Sequence, residues 1–328
     1  MTEPVSYILP IRSDSPSTAP ELRAYIEWIG ARAEVIVVDG SSAPVFAAHE
    51  REWGSIVRHV PPAPDLISPM GKVGAVLTGL RAASHERTII ADDDVRYDDE
   101  SLAQVIDALV SAHVVRPQNY FEPLPWHARW DTGRMLLNRL TGGDWPGTLG
   151  VRRSILQATN GYDGSVMFEN LELVRTVLAA GGREAVLLGA YVRRRPSTAR
   201  HFRGQRVRQA YDEIARPARF AIQLAILPVV LTLAITRHWL AITILAAAVV
   251  LAAEMGRRRE GATRVFPPVT PLFAPLWLAE RAVCSWLALG ARILLGGVPY
   301  RGTILHHAAT PMRVLRRRHS TEAQSRSA

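Results

Sequence analysis

The chain has 328 residues and a formal net charge of +9, long enough for one full α/β domain plus an appendage. Its single cysteine, Cys284, excludes an intrachain disulfide framework and a cysteine-rich zinc site. Basic residues cluster at 193–208, 257–259 and 313–318, two of these clusters flanking apolar segments, a placement that suits a membrane surface and argues against nucleic acid as a partner.

The N-terminus, Met1 to Pro10, lacks a basic stretch followed by a long apolar run. No secretory signal is expected, and the N-terminal domain is expected to stay on the side where it is made. Val5–Leu9 reads as a strand ended by Pro10, Pro20–Ile29 as a helix, and Ala33–Val38 as a buried strand that stops at Asp39-Gly40-Ser41-Ser42. Gly74–Ala83 reads as a helix, Arg87–Ala91 as a strand halted by Asp92-Asp93-Asp94, and Ser101–Ala112 as a helix. Strands alternating with helices predict a mainly parallel, doubly wound sheet, whose ligands sit at the carboxyl ends of the strands. Asp39 and the Asp92–Asp94 run both fall at such ends, where Asp is also a common turn residue.

From Phe220 to Thr236 the chain is apolar apart from Gln223; Arg237-His238 interrupts it, and Trp239–Ala253 is apolar again. Two short spans joined by a tight turn fit a bilayer core better than one straight helix, with a buried helical hairpin as the alternative. Leu272–Val298 is apolar but carries Glu280, Arg281 and Arg292, charges that are costly inside a span. A third full span would export Arg313 and Arg316–Arg318, so an interfacial or re-entrant helix is expected there. The expected division is therefore a catalytic domain over 1–215, a transmembrane hairpin over 216–256, an interfacial helical region over 257–312 and a basic, disordered tail over 313–328.

Four constellations carry chemistry. Asp92-x-Asp94 can converge two carboxylates on one Mg2+ or Mn2+ ion. Gly71-Lys72, opening a helix, suits a phosphate site. Gly161-Tyr162-Asp163 and Phe168-Glu169-Asn170 supply carboxylates that could accept a hydroxyl proton. Gln205-Arg206-Val207-Arg208-Gln209 offers arginine forks for a diphosphate, or a basic patch for lipid headgroups. The segment from Arg116 to Trp145 mixes Trp126, Trp130 and Trp145 with charges, which fits a sugar surface and a membrane-interface helix equally.

In order and spacing these elements resemble the family 2 inverting glycosyltransferases of GT-A fold (Rossmann-like, mainly parallel sheet), nearest to the membrane-bound branch with ceramide glucosyltransferase-like and hopanoid-associated enzymes. The resemblance covers about residues 4–210. It implies a nucleotide-sugar donor, Mg2+ or Mn2+ as cofactor, a lipid or lipid-like acceptor, and a multi-pass protein of the inner membrane with a cytoplasmic catalytic domain. It places Pro10 and Asp39 near the nucleotide, Lys72 near the nucleotide or its phosphates, Asp92 and Asp94 on the metal diphosphate, and Gln205 and Arg208 at the donor. Glu169 matches the first member of the family's Glu-Asp pair, but Asn170 replaces the Asp, which leaves Glu169, Asp163 or another carboxylate such as Asp144 as base. Gln209 replaces the family's Trp, which favours single-sugar transfer over a processive polysaccharide synthase; a degenerate, non-catalytic donor-binding protein is the other alternative.

Overall fold

The computed structural model describes residues 4–16 and 20–327. In chain order its elements are β1 (Val5–Ile11), α1 (Pro20–Gly30), β2 (Glu34–Asp39), α2 (Ala43–Trp53), β3 (Arg58–Val60), α3 (Gly71–Ala82), β4 (Arg87–Ala91), β5 (Val95–Arg96), α4 (Asp99–Ala108), β6 (Val114–Phe121) and α5 (Trp126–Leu140). There follow β7 (Thr148–Arg152), α6 (Arg153–Ala158), α7 (Glu169–Ala179), β8 (Glu184–Arg194), α8 (Ala199–Tyr211), α9 (Pro217–Ile235), α10 (Trp239–Arg258), α11 (Ala274–Leu294), β9 (Val298–Tyr300), β10 (Thr303–Leu305) and α12 (Met312–Ser327). The chain divides into two compact units: residues 1–117, 146–185 and 310–328 form the first, and residues 118–145 and 186–309 the second. These units do not follow the boundary expected at residue 215, because β6 and β8 each begin in the first unit and end in the second.

The first unit has the mainly parallel α/β architecture expected of a GT-A-type domain. Its strands run in the order β3-β2-β1-β4-β7-β6; β3, β2, β1 and β4 are parallel, and β7 is antiparallel to both neighbours. The runs Val5–Leu9, Val35–Asp39 and Thr88–Ala91 are continuously buried, as strands covered on both faces must be. On α1, Leu22, Tyr25, Ile26 and Ile29 form the one buried stripe that helical periodicity predicts. Two helices start earlier than expected. The α4 helix begins at Asp99 because Asp98 caps it: its Oδ1 accepts from Ser101 N at 2.8 Å, and Asp98 N donates back to Ser101 Oγ at 3.1 Å. The α3 helix begins at Gly71, which places Lys72 in its first turn.

Close packing explains the glycines of α3. A Cβ at Gly79 would run into the side chain of Ile8 on β1, and one at Gly74 into the carbonyl oxygen of Leu66. The helix can therefore lie directly on the sheet, with Val73, Val76 and Leu80 buried beneath it. The tail expected to be disordered forms α12, whose Leu315 is buried; α12 packs on α7 within the first unit.

The second unit is helical. Three helices, spanning 217–235, 239–264 and 270–294, are long and apolar enough to cross a membrane. The third differs: 39% of its apolar stretch is buried, against 11% in each of the other two. The segment 126–140 that mixed Trp with charge becomes α5, the hub of this unit. Gly256 of α10 packs against the backbone of Leu136, and a Cβ on Gly133 would lie 2.8 Å from Ala274 Cα. Arg139, 1% exposed, donates to the carbonyls of Gly256 (3.1 Å), Leu188 (3.0 Å) and Arg259 (2.7 Å) and to the Tyr191 hydroxyl (2.9 Å). Its bonds to Gly256 O and Arg259 O fasten α5 to the end of α10.

The glycine contacts predict an order of sensitivity. Gly74→Ala meets rigid backbone and is expected to destabilise by about 1–3 kcal/mol, whereas Gly30→Ala, where nothing lies within 4 Å, should be neutral or slightly stabilising. Thermal melts of the two purified variants check this; equal melting temperatures would contradict the packing account.

Candidate active site

Parallel pairing brings three strand ends to one edge of the first unit's sheet. Pro10 pairs with Val38 and Ile11 with Asp39 across β1 and β2, while β1 and β4 pair through Ile8 and Ile90. Asp92 follows β4 directly, and its backbone N–H donates to Gly147 O at 2.8 Å. Val95 N closes the turn onto Asp92 O at 3.1 Å. Within this turn Asp92 and Asp94 are half-buried and Asp93 is exposed.

The first turn of α3 supplies the opposing charge. Lys72 Nζ lies 2.6 Å from Asp92 Oδ1 and 2.8 Å from Glu169 Oε1, so one ammonium joins α3, the turn after β4 and the start of α7. Burial works against the charged lysine, but Asp92 and Glu169 outweigh it and hold its pKa well above the ordinary value. Beside it, burial first and the charge of Glu169 second push the Tyr162 phenol up, so it stays protonated. Gly161, with φ +86°, makes the turn that brings in Tyr162, its Cα facing the side chain of Leu77.

Asn170 has a role that an Asp could not fill. Its Nδ2 donates to Pro146 O at 3.1 Å, one residue before the carbonyl that receives Asp92 N. The amide thus anchors the strap that holds the Asp92 turn. Oxygen donors from Asp92 and Asp94 at a strand's carboxyl end are of the kind a hard divalent cation takes, so this donor set fits Mg2+ or Mn2+.

Asp39 sits in a different setting from the one expected. It is 1% exposed, its Oδ2 lies 2.7 Å from His49 Nδ1 and 3.2 Å from His59 Nε2, and its Oδ1 accepts from Ser41 N at 2.9 Å. His59 Nδ1 in turn lies 2.5 Å from Glu50 Oε2. Burial opposes the Asp39 charge, yet hydrogen bonds from His59, Ser41 and His49 hold its carboxyl well below the usual range. Burial likewise opposes a charged His59, and Asp39 and Glu50 together raise its pKa. One donor atom from each of Asp39, His49 and His59 lies within 4.8 Å of the others, so these side chains could also receive a metal, although they already satisfy one another by hydrogen bonds. Sequence reading missed both histidines; they follow Asp39 by one helix and one strand, a spacing without a motif.

The remaining expected residues fall elsewhere. Asp163 accepts from Ser165 N (2.8 Å) and Ser165 Oγ (2.6 Å) in its own turn. Asp144 belongs to the second unit, where it accepts from Asn138 Nδ2 at 2.7 Å and pairs with Arg134. Gln205 and Arg208 are also in the second unit, on α8; Gln205 Nε2 lies 2.5 Å from His201 Nε2, and the Arg208 guanidinium lies 5.5 Å from the Tyr300 ring centre. His127 is structural, its Nε2 2.7 Å from Ser197 O.

No family model and no curated protein sequence matches the chain. Among solved structures it is similar to a mannosyltransferase from Pyrobaculum calidifontis in complex with GDP-Man and Mn2+, at 16% identity over 98% of this chain and 86% of that one, with a TM-score of 0.48. It is also similar to glucosyl-3-phosphoglycerate synthase from Mycobacterium tuberculosis, at 16% identity over 61% of this chain and 75% of that one, TM-score 0.40. The same synthase in complex with Mn2+, uridine-diphosphate and phosphoglyceric acid gives 16% identity over 60% and 72% of the two chains, also at a TM-score of 0.40.

Two outcomes follow from the geometry. Asn170→Asp exchanges a donor for an acceptor facing Pro146 O and is expected to cost about 1–3 kcal/mol of stability without raising any turnover; a gain in activity on that change would contradict the anchoring role. For His59, the raised folded pKa means that its stabilising contribution is complete below the ordinary imidazole value of 6.5 and is lost as pH rises through the folded value. Melting temperature measured against pH should therefore fall over that alkaline interval in the parent chain, and the fall should be smaller in His59→Gln.

Proposed function

We propose that the chain is an inverting, metal-dependent glycosyltransferase that moves a sugar from a nucleotide-sugar donor to a lipid or lipid-like acceptor at the cytoplasmic face of the cell membrane. The observation that carries this reading is the Lys72 clasp: an ammonium held between Asp92 and Glu169, with Asp94 two residues along the same turn. Asp94 and Asp92 would hold the Mg2+ or Mn2+ ion, which when bound neutralises charge on a departing diphosphate. Lys72 would exchange part of its pairing with Asp92 for a phosphate oxygen. Pro10 and Asp39 would border the nucleotide, with Asp39 fixed in place by its two histidines. Gln205 and Arg208 keep the donor-binding role that the resemblance gives them.

The base is Glu169 or Asp163, since Asn170 cannot accept the acceptor's proton. Glu169 is the better placed of the two, because donor binding at Lys72 would loosen its ion pair. The three apolar helices support attachment to a membrane, with α9 and α10 as a spanning hairpin and α11 as the inward-packed, interfacial member. A non-catalytic nucleotide-sugar-binding protein is the second reading, favoured by the amide at Asn170.

The full-length protein reconstituted in lipid with Mn2+ should release nucleoside diphosphate from one of a panel of nucleotide sugars, and EDTA should abolish the release. Asp94→Ala and Lys72→Met are each expected to lower the rate roughly a hundred- to a thousandfold. Unchanged turnover in both variants would sink the proposal, and tight donor binding without product in any acceptor screen would favour the second reading.

A further inference from the structure

The second unit holds a group of buried cationic and indole N–H donors without acceptors. Arg281 of α11 is 1% exposed, yet among the described residues its guanidinium makes a single hydrogen bond, from Nη2 to Gln209 Oε1 at 3.4 Å, and its Nε and Nη1 have no partner. Its guanidinium lies 5.2 Å from the ring centre of Trp277, whose Nε1 is also unpartnered at 2% exposure. Gln209 Oε1 accepts a second bond, at 3.0 Å, from Nη1 of Arg206, and Nη2 of that 5%-exposed arginine is unpartnered as well.

The nearby carboxylates are committed. Glu280 receives Arg206 Nε at 2.8 and 3.0 Å and Trp130 Nε1 at 2.8 Å. Asp131 receives Arg206 Nη1 at 3.0 Å and Arg134 Nη2 at 2.9 Å. Arg281 is thus a buried cation without a carboxylate partner among the described residues, an arrangement that is costly unless something else supplies acceptors. Every orphan atom on Arg206, Arg281 and Trp277 is a donor, so the missing partner is an anion rich in acceptor oxygens.

We propose that Arg281 and Arg206, which share Gln209, together with Trp277 beside Arg281, bind the phosphate monoester headgroup of a lipid. A phosphate monoester brings three strong acceptor oxygens, and guanidinium forks match it. The lipid source follows from where the site lies: Arg281 and Trp277 belong to a helical stretch, 270–294, that is long and apolar enough to cross a membrane. That such a lipid serves the proposed transferase rests on that reading; binding itself does not.

The test is calorimetry on the full-length protein in detergent, with dioctanoyl phosphatidic acid, dioctanoyl glycerol and inorganic phosphate as separate titrants. Phosphatidic acid should bind, the uncharged glycerol should bind at least tenfold more weakly, and Arg281→Met should weaken phosphatidic acid about ten- to a hundredfold. Trp277→Phe, which removes one N–H and keeps the ring, should weaken it by a smaller factor. Without ligand, Arg281→Met should melt no lower than the parent, since it removes an uncompensated charge. Equal affinity of the parent and both variants, or equal affinity for the uncharged lipid, overturns the proposal. Inorganic phosphate binding as tightly as phosphatidic acid overturns the assignment to a lipid. Nucleotide-sugar binding measured on the same samples should be unchanged in Arg281→Met, so loss of the lipid site and failure of the transferase reading give different results.

Discussion

The first unit depends on one charge balance. Lys72 is half-buried, and Asp92 and Glu169, which both face it, hold it firmly protonated. Those residues come from three separate elements, the start of α3, the turn after β4 and the start of α7. Without the ammonium, two carboxylates would confront each other in a poorly solvated space, and the turn and the two helix starts would separate. In the proposed transferase reading, a diphosphate would offer Lys72 new oxygens in place of these carboxylates, which would then be free for the metal-holding and proton-accepting roles given them there.

What holds this balance in register is backbone, not charge. Asp92 N–H is fixed to Gly147 O, and Asn170 fixes the preceding carbonyl of Pro146. The α3 helix reaches its position because Gly74 and Gly79 allow it to approach Leu66 and Ile8 without a side chain between. Gly74 and Gly79 are therefore packing residues, and Asn170, which stands where the resembled family has Asp, is a hydrogen-bond donor.

This marks where sequence was legible and where it stopped. Strands at Arg87–Ala91 and Ala33–Val38 were readable because β-branched runs buried on both faces admit few other conformations. The placement of Asp39 and Asp92 at strand ends followed from parallel topology. The partners of Asp39 were not readable, since His49 and His59 reach it from α2 and β3 with no periodic relation to it. Nor was the division into units, because it depends on β6 and β8 passing from one to the other and on α5 packing with the apolar helices. An amphipathic pattern reports that a face is buried, not which of several apolar partners buries it.

The second unit makes the opposite bargain from an ordinary apolar bundle. Its helices α9 and α10 are apolar almost throughout, yet α5, α8 and α11 enclose Asp131, Arg134, Arg206, Glu280 and Arg281. Stability alone argues for apolar residues at such positions, because desolvating an ion pair recovers little of its cost. Arg139 shows what a structural arginine looks like here: each of its guanidinium nitrogens finds an acceptor, and its bonds fasten α5 to the end of α10. Arg281 does not fit that description. Buried to the same degree on a helix of the same unit, it has a single long bond, and the contrast between these two arginines separates a charge kept for architecture from one kept for a ligand.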